Sequence, residues 1–159
     1  MSTVFWLFLL VFIIIGGGLL FKFLEDRDKV EKLPYKTRPY FLNKSEMAFF
    51  LELRKTVPGE YYIFSKVRII DFIEPIDKAN YAKWRNKIWA KHVDFLICDQ
   101  QSKPVMAIEV DGKSHRRPDR IERDKFVDKV FADTGLELQR IRVGSVFSTE
   151  LEKITNKLN

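Results

Sequence analysis

The sequence predicts a mixed α/β domain that follows a single apolar helix at the N-terminus. No charged residue lies between Val4 and Phe21. The patterns after residue 40 then give a helix, three strands, a helix, a strand and a final helix, an order typical of helices packed on a central sheet. We therefore expect a transmembrane anchor over residues 1–24, a charged connector over 25–40 and a folded domain over 41–159.

The apolar segment is long enough to span a bilayer. As a helix, Val4 to Phe21 would measure about 27 Å, close to the ~30 Å of the hydrocarbon layer. We expect residues 4–24 to contact lipid, with Trp6 and Lys22 near the headgroups. The other interpretation is a cleavable signal peptide, although such a peptide usually begins with a basic region that this chain lacks.

The charges around this segment predict its orientation. No Lys or Arg precedes it, and several follow it closely. By the positive-inside rule, the N-terminus lies outside and the C-terminal domain in the cytoplasm. The single cysteine, Cys98, agrees with a reducing compartment. The basic residues after the span are Lys22, Arg27, Lys29, Lys32, Lys36 and Arg38.

The net charge limits the partners of the soluble part. All 28 Lys and Arg and all 22 Asp and Glu follow the apolar segment, which gives a formal charge of +6. A basic domain at a cytoplasmic membrane surface has two acidic partners, anionic lipid and nucleic acid. Composition leaves both open.

The first helix and strand of the domain have clear local signals. Asn43 and Glu46 have capping-box spacing, and Pro58-Gly59 ends the helix that they begin. Tyr61–Ile70 is rich in aromatic and β-branched residues and predicts a strand. We expect residues 71–91 to be irregular with a short helical piece.

The remaining elements follow from apolar runs and turn residues. Val93–Cys98 and Val105–Val110 flank a polar turn and predict a β-hairpin. Asp119–Thr134 predicts a helix that ends at Gly135. Leu136–Val143 predicts a strand, and Thr149 with Glu152 predicts the start of a final helix.

Three carboxylates lie at the ends of the hairpin strands. Asp94 begins one strand, and Glu109 and Asp111 end the other, where side-chain alternation gives them the same face. Such carboxylates repel one another unless a cation neutralises them, and they suit Mg²⁺ or Mn²⁺. We expect all three to be metal ligands at a site that activates water for phosphodiester hydrolysis. The other interpretation is that they form solvated ion pairs with Lys and Arg.

The turn after Asp111 places further polar groups near these carboxylates. Lys113 and His115 are candidate catalytic residues, because they could assist water attack or protonate a leaving group. Arg123 could bind phosphate, or could form an i,i+4 ion pair with Asp119.

A basic, aromatic segment precedes the hairpin. Cations can neutralise phosphates while tryptophans stack on bases, so this segment could bind nucleic acid. In the other interpretation the tryptophans fill the core and the cations face water. The candidate nucleic-acid-binding residues are Lys83, Trp84, Arg85, Lys87, Lys91, Arg116 and Arg117.

Together these residues resemble a bacterial family called domain of unknown function 2726, which is assigned to the restriction-endonuclease-like PD-(D/E)xK nuclease superfamily. The resemblance implies an α-β-β-β-α-β core and a Mg²⁺-dependent or Mn²⁺-dependent nuclease. It implies that Asp94 and Glu109 are metal ligands and that Glu46 and Arg140 are further candidates. The matching segments are Ser45-Glu46, Phe64–Ile70, Lys91–Phe95, Ile108–Asp111, Ser114-His115, Arg120–Asp124 with Phe126, and Gly135–Arg140.

One position departs from the superfamily pattern. A lysine is expected two residues after the second acid, and this chain has Asp111 there. Three functions therefore stay open: a membrane-anchored nuclease, a nuclease-like module that binds nucleic acid without turnover, and a membrane-surface assembly protein. In the last, the charges would meet lipid headgroups and the glycines Gly16–Gly18 would pack on a partner helix.

Overall fold

The structure, a computed structural model, describes residues 3–27, 33–111, 118–144 and 147–158. The chain forms two compact units, Met1–Pro39 and Tyr40–Asn159. The first contains helix α1, Thr3–Arg27. The elements of the second are α2 Lys44–Thr56, β1 Tyr62–Arg68, α3 Tyr81–Trp89, β2 His92–Cys98, β3 Pro104–Asp111, α4 Pro118–Thr134, β4 Glu137–Arg142 and α5 Phe147–Leu158.

Helix α1 is apolar on every side. Over Thr3–Asp26 it is long and apolar enough to cross a membrane, a test that a signal sequence near an N-terminus also passes. None of its most apolar window is buried inside the protein. A helix that exposes apolar side chains all round is typical of a segment in contact with lipid.

The second unit has the mixed α/β class that the sequence predicts. Its described residues form one four-stranded sheet in the order β1-β2-β3-β4. The first two pairings are antiparallel, which confirms the predicted hairpin of β2 and β3. Strand β4 pairs parallel with β3. A parallel pairing needs a crossover connection, and α4 lies between these two strands in the chain.

Apolar side chains alternate along β2 and contribute to two cores. Phe95 and Ile97 belong to a cluster that contains residues of α2 and α5. Leu96 and Cys98 belong to a second cluster that contains residues of α3 and α4. Because successive side chains of a strand point to opposite faces, the sheet is covered on both sides.

The helix caps match their sequence signals. The side chain of Asn43 accepts a hydrogen bond from the Glu46 backbone N–H at 2.9 Å, and the Glu46 side chain accepts one from the Asn43 N–H at 3.0 Å. This confirms the predicted capping box. Gly135 has a φ of +70°, which confirms it as the left-handed residue that ends α4.

Strand β1 ends earlier than predicted. Ile69–Asp71 forms a 3₁₀ turn instead of continuing the strand. The Ile69 N–H still donates to the Lys91 carbonyl of the neighbouring strand end at 2.9 Å, and the Phe72 N–H closes the turn on the Ile69 carbonyl at 3.2 Å. Helix α3 is the short helical piece expected between residues 71 and 91.

We expect Phe95→Ala to lower the free energy of unfolding by about 3–5 kcal/mol. Phe95 is fully buried, and its ring lies 5.9 Å from that of Phe49 and 5.7 Å from that of Phe50. The measurement is chemical unfolding of the full chain in detergent, followed by circular dichroism. Phe64→Ala is the matched control because that ring is 44% exposed. Equal losses in the two variants would contradict the assigned core.

Candidate functional site

The pairing of the four strands places one charged residue of each strand beside a charged residue of the neighbouring strand. Lys66 lies across from Asp94, because the residues on either side of it pair with Phe95 and Val93. The pairing of Phe95 with Ile108 brings Asp94 beside Glu109. Glu109 is paired with Arg140. We call Lys66, Asp94, Glu109 and Arg140 the charged row.

Lys66 supplies the cation at one end of the charged row. Its Nζ lies 2.6 Å from Asp94 Oδ1 and 2.8 Å from Glu46 Oε1. Burial acts to lower the pKa of Lys66, but hydrogen bonds to these carboxylates outweigh it and raise that pKa. The backbone of Lys66 is left-handed, with a φ of 57°, inside a strand. This conformation is costly for a non-glycine residue.

Asp94 is held on both of its oxygens. Oδ1 accepts from Lys66, and Oδ2 accepts from the Val110 backbone N–H at 2.8 Å. The second bond joins β2 to β3 through a side chain. The carboxylate therefore has a defined position between two strands.

Arg140 supplies the cation at the other end. Its guanidinium donates to Glu109 and to Asp128 of α4, the latter at 2.8 Å. The same group lies 3.7 Å from Asp111 Oδ2. Arg140 therefore joins both acids of β3, as expected for two side chains on one face.

Glu109 is the most perturbed carboxylate described. Its pKa is raised from 4.5 to about 6, mainly by burial. Arg140 opposes this shift, while the negative charges of Asp111, Asp94 and Asp124 add to it. Glu109 can therefore gain or lose a proton close to neutral pH.

The three predicted carboxylates Asp94, Glu109 and Asp111 line one cavity of about 420 Å³. Within the described ranges, however, no three His, Cys, Asp or Glu side chains are gathered closely enough to hold a metal ion. Lys66 and Arg140 pair with the row's carboxylates instead. The other residues that line the cavity are Ala90, Lys91, His92, Arg123, Asp124 and Val127.

The remaining predicted residues lie in different places. Glu46 binds Lys66 as well as capping α2, and it does not line the cavity. Arg123 lines the cavity and pairs with Asp124 at 3.3 Å. Four predicted residues fall outside the described ranges, as does the side chain of Asp119. They are Lys113, His115, Arg116 and Arg117.

The tryptophans of α3 are exposed, so the expectation that they fill the core is wrong. Trp84 and Trp89 keep 36% and 43% of their surface accessible. Arg85 lies 3.8 Å and Arg68 4.8 Å from the Trp89 ring centroid. Arg85 reaches the Trp89 ring because residues four apart in a helix lie on the same face, whereas Arg68 approaches it from the end of β1.

A second run of cations extends from this helix to the cavity. Lys83 and Lys87 lie 5.4 and 4.8 Å from the Trp84 ring centroid. Lys87 and Lys91 lie 5.3 and 5.7 Å from that of Phe126. We call Lys83, Trp84, Lys87, Phe126 and Lys91 the cationic track.

Sequence reasoning missed three residues of the site: Lys66, Asp124 and Asp128. A lysine inside the aromatic and β-branched run of β1 is the available signal for Lys66. The two aspartates resemble any solvated helix acids, because only the packing of α4 brings them to the cavity or to Arg140.

Comparisons with known proteins place residues 38–157 in a family model described as a protein of unknown function, DUF2726. An uncharacterised protein of Haemophilus influenzae is 37% identical over 104 residues. That match covers 63% of this chain and 52% of the relative, so the chain spans about half the relative's length. No solved structure matches this chain.

We expect Glu109→Gln to change how stability depends on pH. The folded parent binds the Glu109 proton more tightly than the unfolded chain, since the folded pKa is about 6 and the ordinary value is 4.5. The free energy of unfolding of the parent, relative to the variant, should therefore fall as pH rises through this interval and level off above it. Thermal unfolding of both proteins across this range measures the difference. If the difference in free energy of unfolding between the two proteins does not change with pH, the raised pKa of Glu109 is wrong.

Proposed function

Since the chain belongs to the DUF2726 family of proteins of unknown function, we propose its function from its own residues: a membrane-anchored, divalent-metal-dependent nuclease that hydrolyses phosphodiester bonds in nucleic acid. The observation that carries the proposal is that Asp94, Glu109 and Asp111 line one cavity, to which the cationic track leads. The element order α2-β1-β2-β3-α4-β4, with α3 as an excursion, supports a restriction-endonuclease-like fold.

Asp94 and Glu109 would hold Mg²⁺ or Mn²⁺, and Asp111 lines the same cavity. Mg²⁺ commonly binds proteins through one or two carboxylates and completes its shell with water and substrate phosphate, so these donors fit the ion. Each Asp94 oxygen accepts one hydrogen bond described here and retains acceptor capacity. When bound, such an ion polarises a phosphoryl oxygen and lowers the pKa of a water.

The chain's own groups would position the acids and the substrate. Lys66 and the Val110 N–H orient Asp94, and Arg140 orients Glu109. Burial raises the pKa of Glu109, and a metal ion bound there would favour the ionised carboxylate. Lys113 and His115 remain proposed as the groups that assist water attack or protonate the leaving group.

The cationic track would hold the nucleic acid next to the cavity. Its ammonium groups can neutralise successive phosphates, and the exposed ring of Trp84 offers a stacking surface. Arg85 lies on Trp89 beside Arg68 and adds positive charge to the same helix. Binding of this kind is largely independent of base sequence.

We expect the full-length protein in detergent to cut labelled DNA or RNA in Mg²⁺ or Mn²⁺ and not in EDTA. Glu109→Gln should slow cleavage by about 100-fold or more, since it removes a charged ligand from the reacting centre. Glu52→Gln is the matched control, because this exposed glutamate of α2 pairs with Lys55 away from the cavity. If Glu109→Gln cuts as fast as the parent, the nuclease assignment is wrong.

A second candidate is a nucleic-acid-binding module without turnover. Two observations favour it: Lys66 and Arg140 already neutralise the charged row, and Asp111 stands where the superfamily has a lysine. Binding that weakens steeply with added salt, with no metal-dependent cleavage by the parent, would support this candidate over the nuclease.

We further propose that α1 spans the membrane with the second unit in the cytoplasm, because the basic residues around it all follow the span. External protease should therefore spare residues 40–159 in spheroplasts and digest them in inverted membrane vesicles. Digestion of these residues in spheroplasts would show that the second unit lies outside, opposite to the proposed orientation. Release of this unit from membranes by cleavage after the apolar segment would favour a signal peptide.

A further inference from the structure

Lys91 is the one cavity-lining cation that forms no ion pair among the described residues. The other cation of the cavity, Arg123, pairs with Asp124. The cations of the charged row, Lys66 and Arg140, are each bound to carboxylates. Lys91 therefore lines, without an ion pair to any described residue, a cavity that Asp94 and Glu109 also line.

The position of Lys91 is defined by its backbone. Its N–H donates to the Ile88 carbonyl at 3.0 Å, and its own carbonyl accepts from Ile69 at 2.9 Å. Its Nζ lies 5.7 Å from the centroid of the Phe126 ring. The Lys91 backbone is therefore fixed between α3 and β2, where this residue lines the cavity.

The surroundings of Lys91 disfavour its positive charge when no anion is present. Burial and, to a lesser extent, the charge of Arg123 lower the pKa of Lys91. An anion between the two cations would relieve both effects. The cavity is thus lined both by carboxylates, which can bind a metal ion, and by Lys91, which can bind an anion.

We propose that Lys91 binds a phosphate group of the substrate inside this cavity, with Arg123 beside it, next to the carboxylates that act on the phosphodiester bond. This inference rests on the proposed function. It gives Lys91 a role at the phosphate that reacts, in addition to its place in the cationic track. Phosphate oxygens accept hydrogen bonds from an ammonium group and need its charge to enter a site lined by carboxylates. The ligand is a phosphodiester, and free phosphate shares the chemistry that Lys91 recognises.

The test measures binding in EDTA, so that it does not depend on cleavage. The probes are the dinucleotide TpT, which has a single charged phosphodiester, and its methylphosphonate analogue, which is uncharged. The protein is the full chain in detergent, and binding is followed by NMR. We expect Lys91→Met to weaken TpT binding by about tenfold, as for loss of a charged hydrogen bond, and to leave analogue binding unchanged. Lys91→Arg should restore most of the lost affinity.

Lys129→Met is the matched control. Lys129 is an exposed lysine of α4 that pairs with Asp133 at 3.1 Å and does not line the cavity. Lys129→Met should therefore leave TpT binding within about twofold of the parent, because one phosphodiester bound in the cavity does not contact it. Inorganic phosphate should compete with TpT in the parent and not in Lys91→Met.

The outcomes separate this inference from the proposed function. If Lys91→Met binds TpT as tightly as the parent, or if Lys129→Met loses as much affinity, the phosphate site at Lys91 is overturned whatever the cleavage assays show. If the parent cuts no nucleic acid and Lys91→Met still loses TpT binding selectively, the nuclease assignment fails and the phosphate site stands.

Discussion

The ammonium group of Lys66 binds two carboxylates from different parts of the fold, Asp94 of β2 and Glu46 of α2. This three-residue contact ties the first helix of the domain to the sheet. The side chains are only 22%, 15% and 9% exposed, so water screens the charges poorly. Removing one member of a buried pair costs up to roughly 3–5 kcal/mol, since it leaves an unneutralised charge. The contact therefore stabilises both the helix position and the carboxylate of Asp94.

Arg140 plays the corresponding part at the far end of the row. It binds Glu109 and Asp128 and lies near Asp111, so it joins β3, β4 and α4. One guanidinium does not neutralise all of these acids. Burial is the main cause of the raised pKa of Glu109, and the negative charges of Asp111, Asp94 and Asp124 add to it. The negative charge of Glu109 is therefore unfavourable in this cavity, and either a bound cation or a proton on Glu109 would relieve that cost.

Several residues had two interpretations in the sequence, and packing decided between them. Glu46 fits a capping box and also a functional acid. It makes the cap and binds Lys66, and it is not among the residues that line the cavity. The tryptophans of α3 fit a core or a surface, and they are exposed with cations on their rings. The three carboxylates that the sequence assigns to a metal site pair with Lys66 or Arg140 in the described part of the chain. Neither cation follows from the spacing of the acids.

Local signals in the sequence were sufficient for the apolar helix, the order of the elements, the caps at Asn43 and Gly135 and the shared face of Glu109 and Asp111. These features depend on residues a few positions apart, where periodicity, capping and turn chemistry act directly. The partners of the charges were decided only by the tertiary structure. Lys66 and Asp94 are 28 residues apart, and Glu109 and Arg140 are 31 apart. Their meeting depends on strand order and register, which the burial of both sheet faces selects and no local pattern encodes.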